Sequence, residues 1–451
     1  MNRFVRRTMM VALLAGTSLS VSAPALAQDP YGAPTPSTGG LIGEREAPRQ
    51  QAQPQEGEWE ISRAVGRPLV EGQEAYNAMD YAGALEAARE ADAIEEKNPL
   101  EIYHIAKLLG VVAVAQMNLA EATVQFNRAI ESGAMPPAEA LPTLRTSLLL
   151  NYNAQDYARA VDMGGRLLAM GPLDEQSSLV LTQSYYLTDD YAGAVRIGQQ
   201  LIESGRAAGT APGRDLLAVI MNSQIRMGDQ AAARGTLEQL TLVEPTPDNW
   251  ARVIDGAFTT PNLSDHQLLN LYRLRVQTNS MTETDYLGMA SAALQLGLPN
   301  EAKDMLNKGI ADGVLTQAAA SDLATQANTL STSDQAALPE LEGLAAAATN
   351  GELDVKLGES YWTYGRDADA EAAIRRGIQK GGLSDTADAQ ITLGVVLLDQ
   401  GKTQEAAQAF QQADQAGGGQ VSHVWSLYAQ SRTATAAAPA AAPAAAEAPP
   451  G

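Results

Sequence analysis

The chain has no cysteine in 451 residues. Disulfides, thiol chemistry and lipid attachment at a cysteine are therefore excluded, and any fold must rest on its packed core. Histidine is nearly as scarce: His104, His266 and His423 are separated by more than 150 residues each. No pair has the i, i+4 spacing of a helical metal site, and no thiolate is present to complete one. No metal and no cofactor is expected. Cations are few as well, with 31 Lys and Arg against 53 Asp and Glu, a net charge of −22. Phosphate backbones and anionic lipid surfaces would repel such a chain, so no nucleic-acid partner is expected. Beyond the first 27 residues no apolar run is long enough to cross a bilayer, and the mature chain is expected not to insert in a membrane. Nucleophile elbows, phosphate-cradling glycine loops and dinucleotide fingerprints do not occur.

The N-terminus carries an export signal. Arg3, Arg6 and Arg7 form a basic start, Met9 to Ala15 opens an apolar stretch, and Ala25-Leu26-Ala27 supplies small residues for cleavage. Cleavage after Ala27 leaves Gln28 first. Loss of three positive charges takes the net charge from −22 to −25. Arg6-Arg7 weakly matches a twin-arginine signal, but with nothing to hold a cofactor the general export route fits better. The mature protein is expected in the periplasm.

What is present is a rhythm. Asp156-Tyr157-Ala158-Arg159-Ala160 returns 34 residues later as Asp190-Tyr191-Ala192-Gly193-Ala194, and Asp80-Tyr81-Ala82-Gly83-Ala84 is a third copy. A fixed period of this length signals stacked helical hairpins. Copies centre on Ala84, Ala122, Ala160, Ala194, Ala233, Ala302, Ala370 and Ala406, with Leu268 and Ala336 as degenerate copies in the two gaps. Asn118, Asp156, Asp190, Asp229 and Gly297 sit between helices, where short polar residues or glycine stop one helix and cap the next. Leu109-Gly110, Leu357-Gly358 with Tyr361, and Leu393-Gly394 mark first helices. Ala122, Phe126 and Ala129, and Ala406, Phe410 and Ala413, mark second helices. A small residue at a helix crossing lets the backbones approach while a large one fills the flanking hole.

These motifs resemble the tetratricopeptide repeat family, over nearly the whole mature chain. The resemblance implies an all-α fold, a right-handed superhelical solenoid of about ten hairpins. The expected organisation is a signal at 1–27, a disordered linker at 28–60, the solenoid at 61–420, a capping helix at 421–432 and a disordered Ala/Pro tail at 433–451. In the cap, Val421, Val424, Trp425 and Tyr428 make one apolar face over the last hairpin. Trp250 to Phe258 and Ser264 to Gln277 read as a helix pair joined by Thr259-Thr260-Pro261-Asn262. Residues 316–348, poor in large apolar groups, are expected to be the weakest part of the stack.

The resemblance also implies where a partner would bind. In the family, the first helix of each hairpin lines a groove, and positions one, four and five after its small residue point into it. Carried over, these are Gln73, Tyr76 and Asn77; Leu149, Tyr152 and Asn153; Gln183, Tyr186 and Leu187; Asn222, Ile225 and Arg226; and Glu359, Trp362 and Thr363. Arg145 shares the face of Leu149. Asparagine pairs with backbone amides and tyrosine adds rigid contact area, which together suit an extended peptide. Packing between neighbouring helices would equally explain Tyr76, Tyr152 and Tyr186. With no second domain left over, the expected function is a non-catalytic periplasmic scaffold that binds a protein or peptide partner in envelope assembly or organisation. The alternatives are a helical envelope enzyme acting on glycans through paired carboxylates, and a periplasmic helper of polysaccharide or protein export.

Overall fold

A computed structural model describes residues 59–437. The expected signal, the linker up to residue 58 and the tail from residue 438 lie outside that range. Among the described residues there are twenty helices and no strand. They fall into two compact units that divide between Asp189 and Asp190.

In the first unit lie α1 (Arg63–Asn77), α2 (Tyr81–Asp92), α3 (Pro99–Ala115), α4 (Leu119–Glu131), α5 (Pro137–Asn153), α6 (Tyr157–Met170) and α7 (Glu175–Leu187). Helices α1 and α2, α3 and α4, and α5 and α6 pair as hairpins. The second unit begins with α8 (Tyr191–Ala207), α9 (Arg214–Met227), α10 (Gln230–Val243), α11 (Pro247–Phe258), α12 (Asp265–Gln277), α13 (Glu283–Gln295) and α14 (Pro299–Ala311). It continues with α15 (Gln317–Ala347), α16 (Glu352–Thr363), α17 (Asp367–Lys380), α18 (Thr386–Asp399), α19 (Thr403–Gln415) and α20 (Gly419–Ala437).

The hairpins follow from local chemistry. Asp80, Asn118, Asp156 and Asp229 each accept a hydrogen bond from the backbone N–H three residues on, at 2.9, 3.2, 3.1 and 3.0 Å. That satisfies one of the unpaired donors at the start of each second helix. The repeat alanines Ala84, Ala122, Ala160, Ala302, Ala370 and Ala406 are fully buried. Where Gly110 faces α4, a Cβ would lie 2.8 Å from Phe126 Cδ2, so only glycine lets the ring seat there. Gly394 and Phe410 repeat the arrangement between α18 and α19.

The residue before each cap sits in the left-handed region. In the second unit glycine holds this position, at Gly228, Gly297, Gly365 and Gly401. In the first unit Met79, Met117 and Gln155 hold it, with φ of 61°, 60° and 65°. A side chain there is strained. Met79→Gly and Met117→Gly, both well exposed, are expected to raise stability by up to about 1 kcal/mol each, less the added entropy of the unfolded chain. The shift in urea midpoint measures this, and an unchanged or lowered midpoint would show that the methionines are held there by favourable contacts.

Two expectations change. The degenerate copy at Ala336 is not a hairpin: residues 317–347 form one helix of 31 residues, and Ala336 is exposed on it. The stretch is rich in alanine, the best helix former. Its hydroxyls also turn inward, Thr325, Thr329 and Thr332 each donating to the carbonyl four residues back, so they do not break the helix. The helix buries only Ala320, Ala327, Ser331, Leu338 and Ala345. The second change is at the C-terminus, where α20 runs to Ala437, so residues 433–437 are helix and not tail. Alanine propensity again explains it. The break at 259–264 lies as read, with Ser264 and Gln267 forming a capping box at the start of α12.

Candidate functional site

In the first unit, the expected binding residues lie on the first helices of the hairpins. Tyr76 stands half-buried on α1, its ring 5.7 Å from that of Tyr81, the first residue of α2. Tyr152 on α5 repeats this against Tyr157, the first residue of α6, also at 5.7 Å. Both tyrosines thus pack inside their own hairpins. Tyr152 is only 9% exposed, and burial with the neighbouring Tyr157 pushes its hydroxyl up to about 12. Leu149 packs on the same core cluster. The polar neighbours stay outside: Asn77 and Asn153 are exposed, and Gln73 donates to Asn77 Oδ1 at 3.1 Å. Gln183 and Tyr186 are half-buried on α7, and the Gln183 amide oxygen is sealed from solvent without a hydrogen-bond partner. Leu187 is exposed.

Arg145 is less available than its exposure suggests. Its guanidinium lies 2.6 Å from Asp174 Oδ2. Asp174 in turn caps α7 through the Ser177 N–H, which fixes the start of that helix.

Sequence reasoning missed two polar groups in this unit. Asn127 on α4 and Asn151 on α5 exchange amide hydrogen bonds at 2.9 and 2.8 Å, and Ser147 joins them at 3.0 Å, all buried. Such a satisfied pair fixes the register of the two helices. Tyr103 and Lys107 on α3 both donate to Glu139 Oε2 at 2.6 Å. Burial opposes the Glu139 charge, but these donors outweigh it and hold the carboxyl below its ordinary value. His104, edge-on to Tyr103, is held below the ordinary imidazole range by burial. Their only signal in the sequence was a run of polar residues on otherwise apolar helices, which does not name the partners.

In the second unit two of the expected groove residues, Glu359 and Trp362, are taken up by a side chain of the same chain. Helix α12 carries Arg273, which is 3% exposed. Its Nε and Nη2 grip Glu301 of α14 in a two-pronged contact, both at 2.8 Å. Its Nη1 donates to Asn270 Oδ1 at 2.9 Å and to Glu359 Oε1 of α16 at 3.3 Å. Its guanidinium lies over the Trp362 ring at 4.8 Å, while the indole N–H donates to Asp399 at 2.8 Å. Trp362 and Glu359 therefore face a side chain of their own chain instead of an open groove. Asn270 also donates to Asp388 Oδ1 of α18 at 2.6 Å, and His266 Nδ1 lies 3.3 Å from Asp388 Oδ2. Burial, with the nearby Glu359, pushes the Asp388 carboxyl up to about 7. Asn222 is half-buried on α9; Ile225 and Arg226 are exposed in its last turn.

Helix α20 completes the enclosure. Val421, Val424, Trp425 and Tyr428 are all buried, as their spacing predicts. They pack on α19, and also on α10, α11, α12 and α18. His423 pairs with Glu238 of α10 at 3.0 Å, and that bond raises its basicity.

The described residues repeat one hairpin unit. A small residue on the first helix, a large one seated over it from the second, a left-handed turn residue and a buried alanine recur at near-constant spacing. This is the all-α hairpin architecture that the resemblance to tetratricopeptide repeats implies. Comparisons with solved structures find several distant likenesses. One is a tetratricopeptide repeat protein from Parabacteroides merdae, 14% identical, covering 82% of this chain and 99% of that one, with a TM-score of 0.27. A second is the P58(IPK) tetratricopeptide domain, 15% identical, covering 83% and 99%, with a TM-score of 0.21. A third is Naa15/Naa10 bound to HypK, 13% identical, covering 79% and 64%, with a TM-score of 0.30. At these scores the likenesses carry no argument, and the all-α repeat fold rests on the geometry of the hairpins themselves. No protein-family model and no curated protein matches the sequence. No helix among the described residues is long and apolar enough to cross a membrane.

Proposed function

We propose that this repeat protein is an exported, non-catalytic scaffold whose first unit binds a protein or peptide partner along its first helices, in envelope assembly or organisation. The observation that carries the reading is the contrast between the units. On α1 and α5 the amides of Asn77 and Asn153 stand exposed beside half-buried or buried tyrosines. Their exposed amide N–H groups can donate to a peptide backbone, although the Asn77 oxygen already accepts from Gln73, while the tyrosines packed inside each hairpin hold the helix in place. In the second unit Glu359 and Trp362 are taken up by Arg273, although Ile225 and Arg226 on α9 stay exposed. The basic start, apolar stretch and Ala25-Leu26-Ala27 support export and a periplasmic location. Glu359, the acid on which a glycan-cleaving reading would rely, is 3% exposed and bonded to Arg273, which favours the scaffold.

Crosslinked affinity capture from envelope extract tests this. The variant Gln73→Ala, Asn77→Ala, Asn153→Ala alters only surface or half-buried positions and is expected to stay folded. Its capture of the partner held by the wild type is expected to fall about tenfold or more, as when several interface hydrogen bonds are lost. Equal capture by both proteins would remove the first unit's face from the binding site.

A further inference from the structure

Helix α15 leaves an apolar face uncovered. Its rotation is fixed from one side. The Tyr364 hydroxyl, just after α16, bonds the Ser331 carbonyl at 2.9 Å and Asp334 at 2.8 Å. Lys380 of α17 donates to the Ala345 carbonyl at 2.7 Å. Ser331, Leu338 and Ala345 are buried on this side, each seven residues from the next. A second stripe with the same spacing, Leu323, Leu330, Ala337 and Leu344, is left outside. A spacing of seven keeps residues on one side of a helix. Leu330 and Leu344 are 40% and 53% exposed, Ala337 is exposed and Leu323 is half-buried. Beside them run Gln326, Ser333 and Glu340, all exposed and again seven apart. The face reads nearly the same from either end. Turned end for end about Ser333, Leu323 falls on Leu344, Leu330 on Ala337 and Gln326 on Glu340. Leucine then meets leucine or a small residue, and the one carboxylate of the face meets an amide that can donate to it. Laid side by side in the same direction, two such faces would set Glu340 against its own copy, and like charges repel.

We propose that α15 is a self-pairing surface: the α15 of a second copy of this chain lies on it antiparallel, about a two-fold axis at Ser333. Such an interface uses the same patch on both copies, which is the complementarity that this face has with itself. Ser333 is small and sits where the two backbones come nearest. The strip from Leu323 to Leu344 is about 30 Å long and a helix is about 10 Å across. The pair therefore buries much less than the roughly 1,200–2,000 Å² of a standard interface, and the dimer is weak and reversible. The charge of −22 on each copy opposes it, so salt strengthens the association by screening. This surface is separate from the face proposed for the first unit, and either reading can fail without the other.

Sedimentation equilibrium of the full chain tests this. A dimer with a dissociation constant on the order of 10–100 μM is expected. The variant Leu330→Glu, Leu344→Glu changes two exposed positions, keeps the thermal melt of the wild type and is expected to stay monomeric throughout. The register is tested by exchange. Ala337→Leu alone sets leucine against Leu330 and is expected to weaken the dimer about tenfold. Adding Leu330→Ala restores the large-to-small match and is expected to restore the dimer. Because the chain has no cysteine, single thiols report the axis. Ser333→Cys is expected to form a disulfide-linked dimer under diamide, and Ala319→Cys, far from the axis, at least about tenfold more slowly. A wild type that is monomeric at every concentration would overturn the proposal and leave the face to a different partner. A dimer that survives Leu330→Glu, Leu344→Glu, or equal crosslinking of both thiols, would overturn it as well. Variants Gln73→Ala, Asn77→Ala and Asn153→Ala are expected to leave dimerisation unchanged.

Discussion

Arg273→Ala is expected to cost the second unit about 3–5 kcal/mol, the usual penalty for leaving buried charges without a partner. Among the described residues the guanidinium is the only cation bonded to Glu301 and Glu359, and both carboxyls are almost wholly buried. Burial opposes the charge of Arg273, but Glu301, Glu359 and Asp388 outweigh it and hold the group protonated. Removing it leaves two carboxylates in a dry interior and strips the cover from Trp362. The loss reads out as a lower urea midpoint and as faster amide exchange in α12, α14 and α16, with the first unit unchanged. A second protein separates charge from volume. Arg273→Met with Glu301→Gln and Glu359→Gln replaces the ionic group by neutral residues of similar size, and most of the stability is expected to return. Equal losses in both proteins would mean that the shape of the arginine matters and its charge does not.

Asp388→Asn is expected to stabilise the protein at pH 8 and to do little near pH 4. The folded carboxyl titrates at about 7, raised by burial and then by Glu359, whereas an unfolded aspartate titrates near about 3.9. The folded state therefore binds the proton more tightly. Its contribution is fully present below about pH 4 and is lost as pH rises toward 7, where the native carboxyl must either ionise in place or keep its proton at a cost. Asparagine keeps an oxygen for the Asn270 amide and never ionises. The other charged groups facing Asp388 are His266 and Arg273 of α12, Glu359 of α16 and Asp385 at the start of α18. Thermal melts at several pH values test the sign. A gain of at least about 1 kcal/mol at pH 8 that closes below pH 5 is the expected result. The same gain at every pH would place the effect in packing.

Most of the fold could be read from the chain because it is written locally. Asp80, Asn118, Asp156 and Asp229 cap the helix that follows each, through a bond three residues long. Gly110 and Phe126, sixteen residues apart, determine how one hairpin closes. The stripe of Val421, Val424, Trp425 and Tyr428 announces a helix with one buried face, and it is buried. Where the local signal was weak, the reading slipped. Around Ala336 a constant period implied a turn that no residue there enforces, and alanine with inward-bonded threonines carried the helix on for 31 residues.

The sites were less legible for the same reason. A repeat alignment gives each residue a position on its helix but not what stands opposite. Trp362 lies at the position a groove residue should hold, and nothing near it in sequence indicates that Arg273, 89 positions earlier, covers it. Arg145 shares the face of Leu149, and nothing near it in sequence indicates that Asp174, 29 positions on, pairs with it.

By itself the sequence determined the helices, their caps, the hairpin turns and the repeat, because each depends on contacts within about one period of the chain. Only the tertiary structure decided which repeat faces stay open. The second unit fills its own interior because Asn270 meets Asp388 across 118 residues, Trp425 meets Asn270 across 155, and His423 meets Glu238 across 185. Such contacts form only after the stack has brought distant helices together, so no local pattern encodes them.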